Sequence, residues 1–234
     1  AIASAERATR ARPDLPDAHA LLGMVLASAG RADEAREAFE HAIELRPSQS
    51  DAHLGLGLLL WSAGRPREAL VAFERSIAAD PGSARAWVGR SEVLRALGHP
   101  RDALASAEQA LRLAASFAHA HCARGLALAD LGQRAEALAA LDRALERLPG
   151  HAATLANRAV TLADLGHAPE AFAVFEEALR LAPDAAQTWV ARAVVRQDLG
   201  QYAGALEDLA QALACDPAHA EGAWNACLLQ LRLG

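Results

Sequence analysis

The chain has 234 residues, 53% of them hydrophobic and only 4% aromatic, with alanine at about a quarter, a mixture that favours closely packed helices and excludes disorder and an all-β fold. Its 23 basic residues are all arginine, and 29 acidic residues leave a formal charge of −6, which excludes lysine chemistry and argues against a nucleic-acid footprint, where clustered positive charge is needed. The scattered Cys122, Cys215 and Cys227 do not make a disulfide framework and point to a reducing, cytoplasmic setting, and the longest apolar run, Leu54 to Trp61, is far below the roughly 20 residues of a membrane helix.

The predicted elements form one series of helices. Residues 1–15 read as a single helix closed by Pro13. A pair follows: Leu22, Leu26 and Ala29 share a face of a helix ended by Gly30, and a second helix, Arg31 to Arg46, is stopped by Pro47. The same pair then recurs. Gly30, Gly64, Gly98, Gly132, Gly166, Gly200 and Gly234 stand 34 residues apart without insertion, and Pro13, Pro47, Pro81, Pro149, Pro183 and Pro217 keep that register, with Ala115 in the remaining place. Glycine ends each first helix and proline each second helix. Ala1, Ala35, Ala69, Ala103, Ala137, Ala171 and Ala205 make one column, and Ala8, Ala42, Ser76, Ala110, Ala144, Ala178 and Ala212 another on the same face, so these columns mark close helix crossings. Phe39, Phe73, Leu141, Phe175 and Leu209 lie between them and are expected to fill the space the alanines leave. Residues 84–117 depart most, with Ala107 for the large residue and Ala115 for proline, and a softer joint at 107–118 is expected there. The chain closes on a single first-type helix, 220–234.

A 34-residue helix pair with these columns resembles the tetratricopeptide repeat over the whole length. Trp87 and Trp189 match the aromatic that the family carries near the start of the first helix, with His19, His53, His121 and Leu155 standing there in other repeats. The resemblance implies an all-α, right-handed superhelical solenoid of stacked antiparallel helix pairs. One domain is expected over residues 1–234: 1–15 a lone second helix, 16–219 six complete repeats, 220–234 a lone first helix. It also implies partner binding along a concave groove, at fixed positions of the first helices. Here these hold Leu54, Leu58, Trp61, Val88, Glu92, Arg95, Cys122, Leu126, Val160, Val190, Val194 and Gln197. That largely apolar set suits a peptide or amphipathic helix, with Trp61 as its anchor; the valines read equally well as packing residues. The basic clamp of the chaperone-tail binders and the asparagine ladder of O-GlcNAc transferases are not matched.

Two charge rows follow the same period. Asp130, Asp164 and Asp198 read as an acidic stripe for a basic segment or as a solvated face. Arg90, Arg124, Arg158 and Arg192 read as a structural ladder whose pairing must cross between helices, or as a second contact row. No catalytic motif, cofactor motif or metal-ligand set is present; His119, His121 and Cys122 point in different directions on one helix. The reading is therefore a non-enzymatic scaffold that binds a protein segment in its groove. Alternatives are the recruiting arm of a larger bacterial enzyme, such as a glycosyltransferase, and head-to-tail self-assembly through Trp224, Cys227, Leu228 and Leu231, since the chain is four residues short of seven full repeats.

Overall fold

In the computed structural model residues 1–233 are described, and Gly234, the last of the glycine column, lies outside them. Every regular element among the described residues is an α-helix. The helices cluster into two compact units, Ala1–Leu131 and the part from Gly132 onward. The first holds α1 (Ile2–Ala11), α2 (Pro16–Ser28), α3 (Ala32–Leu45), α4 (Ser50–Ser62), α5 (Pro66–Ala79), α6 (Ala84–Ala96), α7 (Pro100–Leu113) and α8 (Ala118–Asp130). The second holds α9 (Arg134–Arg147), α10 (Ala152–Asp164), α11 (Ala168–Leu181), α12 (Ala186–Asp198), α13 (Tyr202–Cys215) and α14 (Ala220–Leu233). In each unit successive helices pack as antiparallel pairs, and each first helix also touches the first helix of the next repeat.

The columns act as turn chemistry requires. Gly30 closes α2 with φ of +76°, and the Gly30 and Arg31 amides donate to Ala27 and Leu26 at 3.0 Å each. This double bond satisfies carbonyls that the helix end would orphan, and its left-handed residue is most easily glycine. The reverse turn between repeats is locked from a distance. His19, His53 and His121 donate Nε2–H to the carbonyls of Pro13, Pro47 and Ala115 at 2.8 to 2.9 Å. Trp87 and Trp189 do the same with Nε1–H to Pro81 and Pro183 at 3.1 and 2.9 Å. Histidine and tryptophan thus serve one purpose: each reaches back six residues to a carbonyl. The lock needs a carbonyl and no pyrrolidine ring, so Ala115 serves as well as proline.

The alanine columns are wholly buried at Ala35, Ala69, Ala103, Ala137, Ala171 and Ala205. Phe39 sits against the α-carbons of Gly23 and Gly55, and Phe73 against those of Gly57 and Gly89; a Cβ at Gly57 or Gly89 would lie 2.8 or 2.5 Å from the Phe73 ring. In the following repeat the large residue is Ala107, and the facing positions carry Ser91 and Ala123 instead of glycines. Ser91 Oγ donates to the Ala103 carbonyl at 2.8 Å. Volume lost on one helix is restored on its neighbours. Across 107–118, where the sequence suggested a softer joint, Ala107 is wholly buried, α7 runs from Pro100 to Leu113, and Phe117 packs on the cluster of Val88, Ala107 and Ala120.

Candidate functional site

Three first helices of the first unit, α4, α6 and α8, border a cleft of about 320 Å³ lined by Leu54, Leu58, Arg85, Val88, Gly89, Glu92, Phe117 and His119. The spacing explains the lining. Residues 54 and 58 are one turn apart on α4, and 85, 88, 89 and 92 fall on one face of α6. Leu54 and Val88 are buried in the floor, while Leu58 is 40% exposed and offers its side chain to the opening. Gly89 is kept without a side chain by the Phe73 ring beneath it. Phe117 is the N-cap of α8, where extended backbone (φ −75°, ψ 103°) precedes the helix, and its ring lies 5.4 Å from that of His119.

The polar groups of the cleft are few and unevenly matched. Glu92 is half-buried on α6, and removal from water pushes its carboxyl above the usual carboxylate range, with Arg95 acting in the opposite direction. No hydrogen bond or ion pair reaches the Glu92 carboxylate from the described residues. Arg95, one turn further on, instead pairs with Asp130 of α8 at 3.3 Å. Arg85, two turns back at the rim, makes no ion pair with a described residue.

Of the residues the sequence singled out for a groove, Leu54, Leu58, Val88 and Glu92 converge on this cleft. Trp61 is half-buried against the core cluster of Leu54 and Leu60 and lies outside the lining, as do Arg95, Cys122 and Leu126. In the second unit Val194 is exposed, Gln197 is half-buried, and Val160 packs on the cluster of Leu155 and Phe175. Val190 is a correction: it is 0% exposed, in one cluster with Leu209 and Leu229, so it is core and no partner reaches its side chain.

Sequence comparison agrees with this architecture. Family models described as tetratricopeptide repeat match residues 14–82, 54–116 and 122–186, together well over half of the chain. The chain is a tetratricopeptide repeat protein. No curated protein matches its sequence. Among solved structures it resembles YrrB, described as a tetratricopeptide repeat protein with an unusual peptide-binding site, at 24% identity and a TM-score of 0.60, over 82% of this chain and 99% of that one. A tetratricopeptide repeat protein from Parabacteroides merdae gives 16% identity and 0.78 over 98% and 91%. The APC/C hetero-tetramer Cut9-Hcn1 gives 17% and 0.81 over 96% of this chain and 44% of that one. At such identities the likeness concerns the fold alone.

The charge rows of this tetratricopeptide repeat protein are largely spoken for. Asp130 pairs with Arg95 and Asp164 with Arg134, each at 3.3 Å, while Asp198 makes no ion pair with a described residue. Two carboxylates of the row are thus engaged by arginines at the surface. The arginine row is a ladder. Arg90, Arg124 and Arg158 reach sixteen residues back, to Glu74, Glu108 and Asp142, at 3.3, 3.8 and 2.7 Å. Arg192 reaches sixteen residues forward to Asp208 at 2.6 Å, where Arg196 also binds at 3.1 Å.

No three His, Cys, Asp or Glu side chains among the described residues gather as a metal site, and none of the described helices is long and apolar enough to cross a membrane. On α14, Leu229 is buried while Trp224, Cys227, Leu228 and Leu231 are exposed. Register separates these. Leu228 occupies the repeat position of Leu58 and Val194 and is open as they are, whereas Trp224, at 64%, occupies the position of Leu54, which is 5% exposed.

The sequence reading did not single out Arg85, and it named His119 only beside His121 and Cys122. Phe117 read from sequence only as packing near the joint at 107–118: it is the last residue of its repeat, where no groove residue is expected, and the bend of the chain into α8 brings its ring to the cleft.

Proposed function

We propose that this protein is a non-enzymatic interaction scaffold that docks a protein segment in the cleft of α4, α6 and α8. The observation that carries the reading is the convergence of Leu54, Leu58, Val88 and Phe117 on one open cleft, with Leu58 40% exposed. Such a surface suits an apolar side chain of an extended or helical segment, and the ordered helices on either side lower the cost of binding. The peptide-binding description of YrrB supports the same use of the fold, as an analogy. The repeat period runs without interruption through residue 132, which supports one continuous array. No disulfide joins Cys122, Cys215 and Cys227 among the described residues, which fits a reducing compartment such as the cytoplasm.

Selection of a phage-displayed random dodecapeptide library on the purified chain tests this reading. Peptides with apolar anchors are expected to enrich, and Leu58→Arg is expected to abolish their binding while leaving the free energy of unfolding within about 0.5 kcal/mol of the parent. Enrichment that survives Leu58→Arg would move the site elsewhere.

A further inference from the structure

We propose that the segment docked in this cleft carries a lysine or arginine whose cation pairs with Glu92. The inference rests on the docking reading and adds the chemistry of the partner. Its first support is register. At the repeat position of Glu92 the other first helices carry Met24, Leu58, Leu126, Val160, Val194 and Leu228. The fold therefore builds this position from apolar residues, and a carboxylate there is a property of the cleft, with no role in stacking the helices.

The second support is the absence of a match. The three arginines of α6 are otherwise placed: Arg95 is held by Asp130 and Arg90 by Glu74, each at 3.3 Å, and Arg85 lies seven residues back, roughly 10 Å along the helix axis. His119 of α8 also lines the cleft, with no ion pair to Glu92 among the described residues. Glu92 thus faces a largely apolar cleft with one side open, partly stripped of water and without a hydrogen-bond donor among the described residues. A carboxylate in that setting gains most from a cation that arrives with its own apolar flanks, because closing the cleft then replaces water with a charge of the opposite sign. The upward displacement of the Glu92 carboxyl by burial is the same mismatch expressed as proton affinity. A lysine or arginine stem lying over Leu58 and Val88 would bury its methylene groups while its head reaches the carboxylate. Arg85 at the far end of the same face repels a second cation, so the basic residue is held at the Glu92 end and the segment binds in one direction.

The test uses the peptides selected on the full chain. A basic residue at one fixed distance from an apolar anchor is expected in the enriched set. Titration of one such peptide should weaken about tenfold on Glu92→Gln. The same peptide with norleucine for its basic residue should bind the parent and Glu92→Gln equally. Glu37→Gln, an exposed acid on α3, removes the same charge from the protein and should leave affinity unchanged. Enriched peptides that depend on Leu58 but carry no basic position overturn this inference and leave docking intact. So does unchanged affinity on Glu92→Gln, which would mean that a protonated Glu92 acts as a neutral donor, and so does equal weakening by Glu37→Gln, which would mean general charge attraction. Failure to enrich any peptide on the parent overturns both readings.

Discussion

Two carboxylates removed from water, one in each unit, are treated in opposite ways. Asp208 on α13 is 2% exposed and held by Arg192 and Arg196 at 2.6 and 3.1 Å, with Arg196 also donating to the Gly204 carbonyl at 2.8 Å. Glu92 on α6 is half-buried, lines a cleft and is met by no donor among the described residues. A buried acid with two guanidinium groups is part of the architecture, since its ion pairs close the gap between helices. An acid left unmatched on an apolar wall costs stability, and such a cost is characteristic of binding surfaces.

The largest expected effect breaks the matched member. Asp208→Ala would leave the partly buried Arg192 and Arg196 without their shared carboxylate, and a loss of about 3 kcal/mol in urea unfolding is expected; a loss below about 1 kcal/mol would show that water already compensates the pair. Gly89→Ala touches the unmatched side, since the new Cβ would press on the Phe73 ring under the cleft floor. A loss of about 1–3 kcal/mol is expected, with recovery when Phe73→Ala, Gly57→Ser and Gly89→Ala are combined, because that triple variant copies Ala107, Ser91 and Ala123 of the next repeat.

Glu92→Gln should act in the other direction. Burial raises the Glu92 carboxyl in the folded state, so the native chain holds this proton more tightly than the unfolded one, and the stability linked to it is complete at low pH and lost as pH rises through the folded value. The variant is therefore expected to be more stable by about 1 kcal/mol at neutral pH, with the gain vanishing near roughly pH 3, where the carboxyl is protonated in both states. A gain independent of pH would mean that charge burial is not its cause. The smallest effect concerns the turn lock: His121→Leu, which copies Leu155 of the second unit into the first, removes one donor to the Ala115 carbonyl and should cost about 1 kcal/mol in the same unfolding measurement.

The helices, their order and their turns were legible in the sequence because glycine, proline and alanine recur where backbone geometry tolerates little else. Four cleft residues were legible for the same reason, through their repeat positions. Val190 was not: it shares residue type and repeat position with Val88, yet Val190 faces Gly222 of α14 and is sealed in, whereas Val88 borders open space. Exposure depends on what the neighbouring helix carries, and a period within one chain does not reveal it. The arginine ladder was legible as a need for partners on other helices, but not its direction, since Arg192 has an acid on both sides in sequence, at Glu176 and Asp208, and packing selects Asp208.

The central claim is that the first unit's cleft, with Glu92 unmatched, is where a partner segment binds. Methyl-selective NMR of the leucine and valine side chains, recorded while a selected peptide is titrated in, tests it most directly. Shift changes concentrated at Leu54, Leu58 and Val88, with Val160 and Val194 still, are the predicted result; changes centred on Val160 and Val194, or on Val71 on the far side of α5, would contradict it.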